Sequence, residues 1–149
     1  MDDDKVQYPA KMLRGISTPA YYRDSIVMEE AFQLDPVRKD GFCEISITWY
    51  DNQEAFDTIM GQKRPNSDDI QFIVGAAELD RLSLKTVMKA HFLAQNLSYE
   101  RKATHNNKYH GNLLVKNSLD KQMKRLIKSG LATLACNTVY PNPNIVNKE

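Results

Sequence analysis

Apolar and polar residues alternate along some stretches of this chain and recur every three or four positions along others. The alternation is clearest in FCEISITWY, where Cys43, Ile45, Ile47 and Trp49 fall on one side and Glu44, Ser46 and Thr48 on the other. That period of two predicts a strand with one face on a core and a wetter face opposite. IQFIVGAA, from Ile70, is apolar almost throughout and predicts a central strand covered on both sides. KMLRGI (Lys11–Ile16) and NLLV (Asn112–Val115) are shorter strand candidates. Helical spacing dominates LDKQMKRLIKSGLATLAC. There Leu119, Met123, Leu126, Ile127, Leu131 and Leu134 form one stripe, with Asn117 or Ser118 placed to cap it and Asp120 in the first turn. DNQEAFDTIMGQ predicts a second helix, capped by Asp51, with Phe56, Ile59 and Met60 inward and Gly61 as its left-handed stop.

Two stretches fit more than one element. DSIVMEEAFQLD suits a short helix or an extended segment, and ELDRLSLKTVMKAHFLAQNLSYE reads as one or two helices. Loops are marked by LDPVRKDGF, with Pro36, Asp40 and Gly41, and by GQKRPNSDD around Pro65. The opening MDDDK resembles a truncated enterokinase cleavage tag and is set aside. Residues 1–10 and 137–149 lack periodicity and read as poorly ordered tails. With no repeat or linker, the pattern predicts one α+β domain over residues 1–149. Its sheet would be small, mixed or antiparallel, and packed by two or three helices.

Composition narrows the function. A chain of 149 residues can bury roughly two-thirds of its unfolded surface, and 42% hydrophobic with 26% charged residues is an ordinary globular balance. Twenty basic residues against nineteen acidic ones leave a net charge of +1, unlike a surface built throughout to track phosphate. Cys43 and Cys136 are far apart and outside any CxxC pair, so neither a disulfide framework nor zinc-finger spacing can be built. No apolar run approaches the roughly 20 residues that span a bilayer, and the acidic start is no signal peptide. A cytoplasmic protein with reduced thiols and no membrane partner is the expectation.

Candidate chemistry concentrates in HNNKYHGNLLV. His105 and His110 are five apart, a spacing that shares a face on neither a helix nor a strand, and no acid or cysteine nearby completes a metal set. A polar turn leading into a strand is the simpler reading. The alternative is acid–base chemistry by His105 or His110, with Lys108 or Tyr109 as partner. His91 reads as a partly buried helix residue and Cys43 as an inert core thiol. No phosphate-cradling, nucleophile-elbow or zinc-protease motif occurs, so no cofactor is expected. Lys116, Lys121, Lys124, Arg125 and Lys128 share the outer side of the last helix. They make a solvated face or a contact for nucleic acid. Tyr21, Tyr22 and Arg23 after Pro19 form a loop rich in interface-type residues.

The succession MLRGI, AF, KDGFCEISI, VGAAEL and NKYHGNLLV, over most of Met12–Val115, resembles a set of small bacterial proteins without assigned activity. These are carried on mobile elements, including integron gene cassettes. The resemblance implies a bacterial source and a single small α+β domain, and it carries no catalytic residue. Arg14 and His110 fall inside its recurring stretches.

Together these features favour a non-enzymatic binding or adaptor protein that forms a homo-oligomer. A small hydrolase or nuclease using a loop histidine, and a nucleic-acid binder using the basic helix, are the alternatives. A binding site is expected near Arg14, with Tyr22 and His110 as lining. Arg14 is a charge in an apolar strand, costly unless its head finds water or a partner, and Glu30 or Glu44 could supply the partner.

Overall fold

The computed structural model describes residues 8–35 and 37–145. Strand β1 (Lys11–Ile16) leads to a hairpin of β2 (Tyr22–Arg23) and β3 (Ile26–Val27). The hairpin turns on Asp24 and Ser25, both left-handed (φ 54° and 64°), as a type I′ turn requires. A 3₁₀ turn at Glu29–Phe32 precedes β4 (Phe42–Trp49). Then come α1 (Gln53–Gly61), β5 (Gly75–Asp80), α2 (Arg81–Ala90), β6 (Leu97–Arg101), β7 (His110–Lys116), α3 (Lys121–Ala135) and β8 (Val139–Pro141). Six strands form one sheet in the order β6-β7-β4-β1-β5-β8, every pairing antiparallel, and β2 and β3 pair apart from it. The fold is α+β.

The alternation of β4 decides which face is buried. Cys43, Ile45, Ile47 and Trp49 are all inside. Ile45, Ile47 and Trp49 join Met12, Ile16, Leu79, Leu113 and Val115 in a core closed by Phe32 and by Leu84, Met88, Ile127 and Leu131 of α2 and α3. Gly130 sets how closely these two helices approach, since a Cβ there would lie 2.6 Å from Met88 Cε. The opposite face is only half covered. Ile59 and Met60 of α1 pack on Leu13 and Ala76, leaving the β4, β7 and β6 portion polar. Across that portion Arg38 Nη1 donates to Glu44 (3.1 Å) and Glu100 (2.6 Å), and Asn112 Nδ2 donates to the same two carboxylates.

Several expectations are corrected. The last helix is capped by Asp120, whose side chain accepts from Met123 N, rather than by Asn117 or Ser118. Asn52 rather than Asp51 caps α1, and Gly61 ends it without a left-handed turn. The apolar run from Ile70 becomes a strand only at Gly75. Of the long helical reading only Arg81–Ala90 is helix: residues 78–80 end strand β5 and residues 97–100 begin strand β6, and His91 is an exposed cap on α2 rather than a partly buried residue. Tyr8, expected in a loose tail, stacks on Trp49 (ring centroids 4.7 Å). Within the other expected tail, Val139–Pro141 pairs with β5. Asn142 is buried beside it, its Nδ2 donating to Met60 O and Phe72 O at 2.9 Å each. The remaining tail residues, 1–7 and 146–149, lie outside the described residues, as does Pro36.

Candidate ligand cleft at a parted strand seam

The two central strands, β1 and β4, keep register only at Met12↔Trp49 and Leu13↔Thr48. Beyond Leu13 they part, although both continue. β4 stays paired with β7 from Phe42 to Thr48, and β1 with β5 along its whole length. Arg14 stands in the opening. Its Nε donates to Ala31 O (2.9 Å) and its Nη1 to Ser46 O (2.6 Å), so a side chain takes up a strand carbonyl where the ladder has stopped. Asp35 N takes the next such carbonyl, Glu44 O, at 3.1 Å.

A cleft of about 530 Å³ follows this seam. Its floor is Leu13, Arg14 and Gly15 against Ser46, Ile47 and Thr48. One wall is the segment after α1, with Gln62, Lys63, Gln71 and Phe72. Another is the β6–β7 connection, with Thr104, Asn106, Asn107 and His110. Tyr21, Glu30, Gln33 and Asp35 close the remaining side. Gly15 is required here because a Cβ would sit 2.3 Å from the Phe72 ring.

The chemistry of the floor centres on Arg14. Burial pushes its guanidinium below the ordinary arginine value, against the opposing pull of Asp35 and Tyr21. Nη2 has no hydrogen-bond partner among the described residues. Two of the three guanidinium nitrogens are thus fixed by backbone carbonyls, and the third keeps an unused donor in the lining of the cleft. The expected pairing of Arg14 with Glu30 or Glu44 does not form. Glu44 is taken by Arg38 and Asn112, and Glu30 makes no ion pair among the described residues.

His110 is fixed in a different way. Its Nδ1 lies 2.7 Å from Lys102 O, and a carbonyl can only accept, so Nδ1 carries the proton. In the neutral ring Nε2 is then an acceptor. Asn107, fully buried in the preceding turn, donates from Nδ2 to Thr48 Oγ1 (2.9 Å) and accepts from Tyr109 N (2.9 Å). That turn fixes the His110 backbone against β4.

Of the three residues expected to form a site, Arg14 and His110 line this one cleft. Tyr22 does not; it packs against the core from β2, and its neighbour Tyr21 takes the lining position. His105 is exposed and outside the cleft. Lys108 and Tyr109, proposed as histidine partners, instead engage Glu54 of α1, Lys108 Nζ at 3.3 Å and Tyr109 through its hydroxyl. Asp35, Gln62, Gln71 and Phe72 are not among the expected site residues: the sequence reads Gln62 as the end of a helix, Gln71 and Phe72 as part of a central strand and Asp35 as loop, and only the folded loops bring them to the cleft. Lys121, Lys124, Arg125 and Lys128 line a second, shallow groove with Gln33 and Leu34, of which Gln33 also lines the cleft. Among the described residues no cluster of histidine, cysteine and carboxylate suits a metal ion, and no helix is long and apolar enough to cross a membrane. Compared with family models, curated proteins and solved structures, the chain matches none.

Proposed function

We propose that this protein is a non-enzymatic binding protein whose cleft takes a small polar ligand with an anionic group, received by Arg14. The observation that carries this reading is the anchored guanidinium. A planar fork held by two backbone carbonyls loses little freedom on meeting a carboxylate or phosphate, and such charge-assisted bonds are the stronger kind. Lys63, exposed and without an ion pair among the described residues, adds positive charge at the rim. The resemblance to mobile-element proteins supports a bacterial source. Exposed Leu82 (66%) and Phe92 (92%) support self-association into a homo-oligomer. Light scattering that finds only a 17.1 kDa monomer at high concentration removes that part of the proposal.

A thermal-shift screen of anionic metabolites, followed by calorimetry, tests the cleft. A hit should bind roughly tenfold more weakly to Arg14→Lys, which keeps the charge and loses the fork, a difference of about 1.4 kcal/mol. If that variant folds poorly, Lys63→Gln, at an exposed position, should still weaken binding. The proposal falls if no anionic compound stabilises the protein, or if both variants bind a hit as the parent does.

A second reading, hydrolysis or nuclease action assisted by His110, draws on its fixed tautomer and the acceptor Nε2 in a concave site. It predicts cleavage within a panel of activated esters and phosphodiesters, abolished by His110→Gln. Absence of turnover across the panel ends it.

A further inference from the structure

We propose that the cleft and the basic groove on α3 form one composite site for a nucleoside polyphosphate, with the base in the cleft and the phosphates running past Arg14 and over Gln33 onto α3. This inference rests on the reading of the cleft as a ligand site. Its first support is continuity, because Gln33 belongs to the lining of both the cleft and the groove. The segment that closes the cleft is therefore also the near bank of the groove.

The second support is charge. Lys121, Lys124, Arg125 and Lys128 occupy successive helical turns on one side of α3, so like charges meet at i, i+4, an arrangement that weakens a helix by itself. Lys124 bonds to Asn117 Oδ1 at 2.8 Å, and Lys121, Arg125 and Lys128 make no ion pair among the described residues. The adjacent acid, Asp120, is committed to Met123 N at 2.8 Å as the helix cap. A polyanion relieves this crowding; at the seam Arg14 and Lys63 are met by Glu30 and Asp35, so the positive charge of the composite site lies mainly on α3.

The third support is the cleft's own edge. Gln62 Nε2 donates to Gln71 Oε1 at 2.9 Å, and among the described residues neither Gln62 Oε1, an acceptor, nor Gln71 Nε2, a donor, makes a hydrogen bond. A paired acceptor and donor match the hydrogen-bonding edge of a nucleobase, and the adjoining Phe72 ring offers an aromatic surface. A simple carboxylic acid would use neither the amide pair nor the groove.

Calorimetry on the full chain with the four ribonucleosides, their triphosphates and inorganic tripolyphosphate tests the composite site. At least one triphosphate should bind roughly tenfold tighter than its nucleoside and than tripolyphosphate. The double variant Lys121→Gln/Arg125→Gln, at exposed positions without an ion pair among the described residues, should bring that triphosphate toward the affinity of the nucleoside and leave nucleoside binding unchanged. Equal affinity of nucleoside and triphosphate, or no effect of the double variant, overturns the composite site. Tripolyphosphate binding as tightly as the triphosphate overturns it too, since the groove would then act alone. Binding of single-stranded oligonucleotides without any triphosphate also overturns it, in favour of a nucleic-acid face. If other anionic metabolites bind through Arg14 while no nucleotide does, this inference fails and the cleft reading stands. If nothing binds, both fail.

Discussion

Phe92 is the residue least suited to its backbone. It follows α2 with φ 60°, in a helix-ending motif where Leu93 N donates to Met88 O (2.8 Å) and Phe92 N to Lys89 O (3.1 Å). That left-handed position is normally glycine, and a bulky side chain there is strained. The ring is 92% exposed, so no burial offsets the strain. Phe92→Gly should therefore raise the stability of the monomer by about 1 kcal/mol, read at low protein concentration as a higher urea midpoint at unchanged slope; a lower midpoint would mean the ring is packed against a second copy, as the homo-oligomer would have it. Gly111 poses the opposite case. Trp49 Nε1 crosses it to reach Glu100 O at 3.2 Å, and a Cβ at 111 would lie 2.1 Å from Nε1 and 2.4 Å from that oxygen. Gly111→Ala should cost about 1–3 kcal/mol and shift the tryptophan emission as the indole is pushed aside. An unchanged spectrum at unchanged stability would contradict the contact.

The elements that periodicity revealed are those whose burial is largely one-sided: β4, α1 and α3 each show the face their packing uses, whereas β1 and β7, buried on both sides, show in the sequence only as short apolar runs. The others are set by groups that leave no pattern. The end of α2 was hidden because phenylalanine stands where a glycine stop would be, so the helical reading ran on into β6. The start of β5 waits for Gly75, whose φ of 136° and close approach to Tyr140 O admit no side chain. β8 ends on a proline, which an edge strand tolerates, and Asn142 anchors it through hydrogen bonds no hydropathy pattern can show. The same division runs through the cleft. Arg14 stood out as a charge in an apolar strand, whereas the Gln62–Gln71 pair exists only once the loop has folded. Strand β6 also carries a pH dependence. Desolvation pushes the Glu100 carboxyl up, but hydrogen bonds from Asn112 and Arg38 outweigh it and hold it below the usual carboxylate range. A depressed folded value means the network's stabilisation is present above the unfolded value, about 4.3, and is lost as pH falls through the folded one. Glu100→Gln should thus be less stable than the parent at pH 7, with the gap narrowing in acid. Parallel urea curves from pH 7 to pH 3 measure this, and a gap independent of pH would remove Glu100 from the acid response.

At the scale of the whole molecule, the sheet is two well-paired units joined by a short seam. Phe42–Thr48 runs against the length of β7, and Lys11–Ile16 against the length of β5. Between β1 and β4 the register covers two residue pairs, reinforced by Arg14. Local opening follows the weakest pairing, so the seam should open at lower free energy than the units it joins. Two adjacent amides report on opposite sides of β4. Tyr50 N donates to Lys11 O (3.1 Å) across the seam, and Trp49 N donates to Tyr109 O (2.8 Å) on the β7 side. In native-state hydrogen exchange Tyr50 should exchange faster than Trp49. A ligand held in the cleft touches both parted strands and binds the closed form alone, so saturation should slow Tyr50 and leave Trp49 nearly unchanged. At ligand concentrations about a hundredfold above Kd the added protection is bounded near 2.7 kcal/mol. Arg14→Met, which removes the side-chain tie while filling similar space, should speed Tyr50 further in the free protein. If Tyr50 and Trp49 exchange together, free and bound, the sheet opens as one unit, and the seam is then no place where binding and folding meet.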